Sequence, residues 1–116
     1  MLAGLQDNNT IRYNGSPFWD FVIGGDGSFN AIDPFNDQTM YGSYQYLNIL
    51  KSDDYGFSFY DILNHSASSF GGNSVAFIAP FALSYSNPDV LYAVGDSLQR
   101  TNDQGSLGRW VQRNSL

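Results

Sequence analysis

The apolar residues of this chain come in short alternating runs that are separated by clusters of small and polar residues. Runs such as 39–44, 47–51, 90–94 and 97–100 are four to six residues long, and Gly, Asn, Asp, Ser or Pro stands around them. Alternation over so few residues is typical of β-strands with one buried face, and the intervening residues favour tight turns. The pattern therefore predicts an all-β protein built from short antiparallel strands.

The same order of elements occurs twice along the chain. Tyr41 recurs as Tyr92 at an offset of 51 residues, and Asp54 recurs as Asp103 at an offset of 49. A hairpin shorter by two residues in the second copy explains the change of offset. Each copy predicts about four strands in roughly 50 residues, which is typical of one blade of a β-propeller.

The segments outside the two copies predict further elements. Three strands are expected at 2–5, 10–13 and 18–23, as the end of a preceding unit, and a loop is expected at 61–74. Within each copy the last strand is expected to begin with aromatic residues, at 57–60 and at 109–112.

A short polar turn precedes the last strand of each copy, and each of its positions has a structural role. The Asp accepts hydrogen bonds from backbone N–H groups, and a hydroxyl side chain adds a further hydrogen bond. The Gly adopts the positive φ that the turn needs, and an aromatic ring packs over the turn. These residues are Ser52, Asp54, Gly56 and Phe59 in the first copy and Thr101, Asp103, Gly105 and Trp110 in the second. Paired acid–base work requires carboxylates about 5–9.5 Å apart, and a blade's width is larger. We therefore expect these turns to be structural.

These turns resemble the Asp-box, or BNR, repeat S/T-x-D-x-G-x-x-W/F. Residues 52–59 (S-D-D-Y-G-F-S-F) match it, and residues 101–110 match it with the Trp two places late. Further stretches resemble successive landmarks of bacterial BNR-repeat propellers, namely 3–10, Trp19, 24–27, 32–34 and 79–92. Propellers of this kind are described as sialidase-like, xyloglucanase-type or sortilin-type.

The resemblance spans residues 3–112 and implies a β-propeller segment with about two four-stranded antiparallel blades plus a partial blade. Residues 1–27 are then the end of a preceding blade with a Gly-rich turn, 28–66 the first Asp-box blade and 67–116 the second. It also implies a secreted or cell-surface bacterial protein. The chain is expected to be either a fragment of a larger propeller or a protomer that closes by assembly.

Composition and charge narrow the function classes. The 116 residues are 42% hydrophobic and 16% aromatic, which predicts a folded core, and the net charge is −6 with only five Lys and Arg. Such a balance disfavours nucleic-acid and anionic-membrane partners. There is no Cys, so disulfides and thiolate metal sites are excluded, and the first residues predict no signal peptide.

Candidate chemistry lies in the Gly-rich segment 24–27. Its glycines would let a ligand approach the backbone, and Asp26 could act as an acid, a base or a sugar ligand. Gln6, Asp7 and Trp19 are further candidate ligand-binding residues, and Trp19 could stack on a sugar ring. For each candidate the alternative is a turn or a packing role. No metal site and no cofactor is predicted, since His65 is the only His and is expected in a loop.

Three functions stay open at this point. The first is a non-catalytic structural and interaction segment, whose partners are the remaining blades of the propeller or copies of itself. The second is part of a glycoside hydrolase acting on a polysaccharide, with Asp26 as one carboxylate and its partner outside the segment. The third is a sugar-binding propeller assembled from short protomers. Sialidase chemistry is not expected, since Glu is absent and the arginines are few.

Overall fold

The computed structural model describes residues 1–64, 75–95, 97–106 and 110–115, and this part of the chain contains eleven β-strands. The strands are β1 Leu2–Gly4, β2 Thr10–Arg12, β3 Asp20–Ile23, β4 Asn30–Ile32, β5 Met40–Tyr44, β6 Asn48–Ser52, β7 Tyr60–Leu63, β8 Phe81–Leu83, β9 Leu91–Val94, β10 Ser97–Thr101 and β11 Val111–Ser115. Among these residues no helix has the length and apolar character needed to cross a membrane.

The strands form three antiparallel sheets in which neighbours in space are neighbours in sequence. Sheet I contains β1–β3, sheet II contains β4–β7 and sheet III contains β8–β11. The predicted all-β fold, with two four-stranded sheets and one partial sheet, is confirmed. Successive four-stranded meanders of this kind are compatible with a segment of a β-propeller. The division of the chain at residues 27 and 66 stays a prediction.

A shared irregularity aligns the three sheets residue by residue. The register shifts between Thr10 and Ile11 in sheet I, between Ile49 and Leu50 in sheet II, and between Leu98 and Gln99 in sheet III. A bulge of this kind re-aims the strand that follows it. In this alignment, one basic residue is equivalent in the three sheets: Arg12, Lys51 and Arg100. The aromatic residue just before each last strand is also equivalent: Trp19, Phe59 and Trp110. Sheet I is thus a third copy of the repeat, without its first strand.

Several element boundaries differ from the sequence prediction. The strands expected at 18–23 and 109–112 begin at Asp20 and Val111. The last strand of sheet II begins at Tyr60 and not at residue 57, because the Ser58 amide donates to the Asp54 carboxylate at 2.9 Å and holds 57–59 in the turn. The predicted loop at 61–74 was wrong over its first residues, since β7 continues to Leu63. The rest of that loop, with His65, lies outside the described residues.

Sheet II lies between the other two sheets, and its burial shows it. Its strand β5 is buried at four successive positions, Met40 to Ser43, whereas β9 of sheet III alternates between buried and half-buried residues. The interface between sheets I and II is close enough that a Cβ on Gly42 would overlap Ile23 Cδ1. The interface between sheets II and III holds the main core: Tyr41, Leu47, Ile49, Ile62, Leu63, Ala79, Phe81, Leu83, Leu91 and Ala93.

Three glycine substitutions separate backbone strain from packing. Gly56 has a φ of 81°, and an added Cβ would lie 2.8 Å from Arg12 Cδ. A left-handed residue with a Cβ costs about 1–2 kcal/mol, so we expect Gly56→Ala to lower the free energy of unfolding by about 2 kcal/mol or more, measured by urea denaturation.

Two controls accompany this variant. Gly15 has a φ of 92° in open space, so Gly15→Ala should cost only the backbone contribution of about 1–2 kcal/mol. Gly24 has open space and no positive φ, and its Ala variant should stay within about 0.5 kcal/mol of the wild type. Equal losses in all three variants would contradict the assignment of Gly56 to a packed turn.

Candidate functional site

Because neighbouring strands run antiparallel, the connections between them lie alternately at the two opposite ends of the sheets. The segments 5–9, 24–29 and 45–47 lie on one edge, which we call the upper rim. The turns 13–19, 53–59 and 102–106 lie on the other, which we call the lower rim. A hydrogen bond from the Asn9 amide to the Gly25 carbonyl, at 3.0 Å, joins the first two of these segments. The Ser28 amide donates to the carbonyl of Ser43 in β5 at 2.9 Å.

Asp26 connects two loops of the upper rim. Its Oδ1 accepts the backbone N–H of Asp7 at 2.8 Å, and its own N–H donates to Oε1 of Gln45 at 2.8 Å. The structure therefore brings together three of the predicted site residues, since Gln6 is the neighbour of Asp7. One oxygen of the Asp26 carboxylate is engaged in a bond that shapes the rim, as expected for a structural acceptor.

The glycines beside Asp26 are required by close backbone contacts. Gly25 has a φ of 84°, and a Cβ there would lie 2.8 Å from Oε1 of Gln45. A Cβ on Gly27 would overlap the carbonyl oxygen of Asn9. Gly24 is the exception, since a Cβ there would meet open space. The Gly-rich composition is thus explained mostly by the packing of 24–27 on the loop 5–9.

A cavity of about 350 Å³ lies next to this cluster. Its lining residues are Gly4, Gln6, Gly27, Ser28, Phe29 and Ile78. The hydroxyl oxygen of Ser28 is buried and has no hydrogen-bond partner within the described residues. An amide, a hydroxyl and an aromatic ring around one small cavity are chemically suited to a polar ligand with an apolar face.

Trp19 does not join the other predicted ligand-binding residues. It ends the lower-rim turn 13–19, and its ring centroid lies 5.2 Å from that of Tyr13 at an interplanar angle of 53°. The aromatic residue that does stand on the upper rim is Tyr46, which is half-exposed and meets Phe77 edge to face. Tyr46 is therefore better placed than Trp19 to contact a ligand at the upper rim.

The lower-rim turn at 53–59 is closed by its own polar side chains. The Ser52 hydroxyl donates to Asp54 Oδ1 at 2.7 Å and accepts the Gly56 amide at 2.9 Å. Asp54 also accepts the Ser58 amide at 2.9 Å and the Ser58 hydroxyl at 2.6 Å. Ser52 is completely buried, so its hydroxyl satisfies an amide that water does not reach.

The second turn repeats the two bonds of the buried hydroxyl. The Thr101 hydroxyl donates to Asp103 Oδ1 at 2.8 Å and accepts the Gly105 amide at 2.9 Å. The residue before each glycine also has a left-handed backbone conformation, with a φ of 62° at Tyr55 and 60° at Gln104. In both turns the carboxylate accepts the hydroxyl of the residue two positions before it.

The first turn also packs on the preceding sheet, through a residue that the sequence analysis did not select. Arg12 of β2 donates to the Tyr55 carbonyl at 3.5 Å, and its guanidinium lies 4.1 Å from the centroid of the Phe57 ring. The ion pair with Asp20, at 2.8 Å, holds Arg12 in place. The basic residue that recurs near the end of the same strand in each copy, as Arg12, Lys51 and Arg100, is the sequence signal that could have identified it.

The second turn packs on sheet II in a different way. A Cβ on Gly105 would lie 3.0 Å from Ile62 Cδ1, so the turn backbone rests directly on β7. The indole N–H of Trp110 donates to the Ile62 carbonyl at 2.9 Å. Each repeated turn therefore joins its own sheet to the sheet before it.

The described residues contain no group of three or more His, Cys, Asp or Glu side chains that could hold a metal ion. The roles of Asp26, Gln6, Asp7 and Trp19 in binding or catalysis stay predictions.

Comparison with known proteins does not assign the chain to a family: no protein-family model matches it, and no curated protein matches it significantly.

The acidity of Asp54 gives a test of the turn geometry. Hydrogen bonds from the Ser58 hydroxyl and amide and from Ser52 lower the pKa of Asp54 from 3.8 to about 2. A lowered pKa means that the ionised carboxylate stabilises the fold above pH 3.8, and that this contribution is lost as the pH falls towards 2. We expect the stability difference between the wild type and Asp54→Asn to shrink over that interval.

Carboxyl ¹³C chemical shifts measured against pH report the ionisation directly. Ser58→Ala removes the largest cause of the shift, so the Asp54 midpoint should rise towards 3.8 in that variant. A wild-type midpoint at the ordinary value would show that the turn bonds do not form in solution.

Proposed function

We propose that this chain is a non-catalytic structural and interaction segment of a secreted or cell-surface Asp-box β-propeller protein. The observation that carries the proposal is the use of the repeated turn: its hydroxyl, carboxylate and glycine close the turn and set it on the preceding sheet. A motif whose groups are engaged in this way has a role in packing and offers no free group for a substrate.

The burial of the sheets supports the same proposal. Sheet II is covered on both faces, and the buried residues between sheets II and III form the main core. Repeat proteins gain stability by stacking such units, because one unit cannot bury its own apolar faces. The partners expected for this segment are therefore further sheets of the same kind, from the remaining blades of a propeller or from copies of the chain.

The upper rim supports a second candidate function, which is carbohydrate binding or hydrolysis as part of a complete propeller. The specific observation is that Gln6, Asp7 and Asp26 come together beside a cavity that Phe29 and Ser28 also line. In a hydrolase, Asp26 would supply one carboxylate, and the second would lie outside the segment. The bond from the Asp7 amide argues for a structural role of Asp26, since it engages one of the two carboxylate oxygens.

Asp26→Asn distinguishes the two functions. The variant keeps an oxygen that can accept the Asp7 amide, so a structural role predicts stability within about 0.5 kcal/mol of the wild type. An amide cannot transfer the proton or attack as a carboxylate does. We expect the purified chain and its Asp26→Asn variant to release no reducing sugar from a panel of plant and bacterial polysaccharides and to give the same signal on a glycan array.

Asp26→Ala serves as the matched control, because it removes the acceptor and should destabilise the loop 5–9 while leaving the array signal unchanged. Release of sugar by the wild type that Asp26→Asn abolishes would overturn the structural proposal in favour of the hydrolase. Glycan binding by the wild type that Asp26→Asn weakens would favour the sugar-binding function.

A further inference from the structure

Within the described ranges of the chain, sheet III is covered on one face only. Its outer face carries Tyr92, Val94, Leu98 and Arg100, all half-buried, and its inner face carries the fully buried Leu91, Ala93 and Gln99. The register Leu98↔Val94 and Arg100↔Tyr92 matches Ile49↔Ser43 and Lys51↔Tyr41 in sheet II. In sheet II those equivalent residues are buried, and Tyr41 and Ile49 belong to the core with sheet III.

In the part of the chain that the structure describes, sheet I has the opposite face uncovered. Ala3, Ile11 and Phe21 stand opposite one another across its three strands, and Phe21 is 77% exposed. The residues that occupy these places in sheet II are Gly42, Leu50 and Asp61. That face of sheet II packs on sheet I, since Gly42 lies against Ile23.

The half-buried outer face of sheet III and the partly exposed outer face of sheet I are therefore the two kinds of face that meet at both internal interfaces. Sheet II meets sheet I, and sheet III meets sheet II, with the same pair of faces. Faces that differ from each other associate head to tail, and such an arrangement closes into a ring or continues as a filament. An uncovered apolar face on a monomer favours such association.

We propose that the outer face of sheet III binds the outer face of sheet I of a second copy of this chain. The inference rests on the proposed function, because it extends the stacking of sheets from within the chain to between chains. The second copy is the chosen partner because the chain itself carries a sheet of this repeat with the complementary face free.

Arg100 provides the polar contact of this interface. It is equivalent to Arg12, which binds the Tyr55 carbonyl and the Phe57 ring of the following sheet's turn. The guanidinium of Arg100 lies 5.6 Å from the Tyr92 ring. In a head-to-tail pair, the turn 13–19 of the second copy takes the place that 53–59 has on Arg12, and Phe18, 83% exposed, offers an aromatic ring.

Sedimentation velocity over a range of concentrations tests the interface. We expect the wild type to self-associate and Phe21→Asp or Leu98→Asp to raise the dissociation constant at least about tenfold. The Asp at 21 is compatible with the strand, since Asp61 stands at the equivalent place in sheet II. Phe35→Asp is the matched control, because Phe35 is 78% exposed in the turn 33–39 of sheet II, which carries neither outer face, and its variant should associate like the wild type.

A mixing experiment tests the head-to-tail arrangement itself. Phe21→Asp keeps an intact sheet III face and Leu98→Asp keeps an intact sheet I face, so an equimolar mixture should form 1:1 heterodimers that neither variant forms alone. A monomeric wild type, a mixture that stays monomeric, or an equal loss in Phe35→Asp would overturn the proposal. If Gly56→Ala is still destabilised as predicted, such a result overturns the contact between chains and leaves the stacking within the chain intact.

Discussion

The hydrogen bond from the turn glycine to the hydroxyl that ends the preceding strand determines how the sheets of this protein pack. In both turns the glycine amide donates to a buried hydroxyl at 2.9 Å, and the same hydroxyl donates to the carboxylate two residues later. This arrangement presents a backbone surface without a Cβ to the neighbouring sheet, so that Gly56 can lie on Arg12 and Gly105 on Ile62. The polar residues of the repeat thus hold the turn in the conformation that lets its glycine pack against the neighbouring sheet.

A shared register is what makes the stacking repeat. The bulge at the same place in each sheet sets the base, the turn and the closing aromatic residue in equivalent positions. The contacts themselves are not identical: Arg12 reaches forward to the turn of sheet II, whereas Trp110 reaches back to the Ile62 carbonyl. Equivalent positions with different chemistry thus connect each sheet to its neighbour.

Much of the fold could be predicted from the sequence, because alternation and turn residues act locally. The strands of sheets II and III and the roles of Ser52, Asp54 and Gly56 follow from residues close in the chain. The partial third unit was predicted from its strands alone, because its turn at 13–19 has Asn14 and Ser16 where the others have Asp and Gly. Contacts between sheets, such as Arg12 with Phe57 or Asp7 with Asp26, join residues far apart in sequence, and no local pattern reports them.

Amide hydrogen exchange at Gly56 and Gly105 tests most directly whether the turns join the sheets. If each glycine amide is bonded to a buried hydroxyl and packed on the preceding sheet, it exchanges only when the sheets separate. We expect both amides to exchange at least about a hundredfold more slowly than an exposed turn amide such as that of Gly15. Exchange at the rate of Gly15 would contradict the account, because the turns would then open without any separation of the sheets.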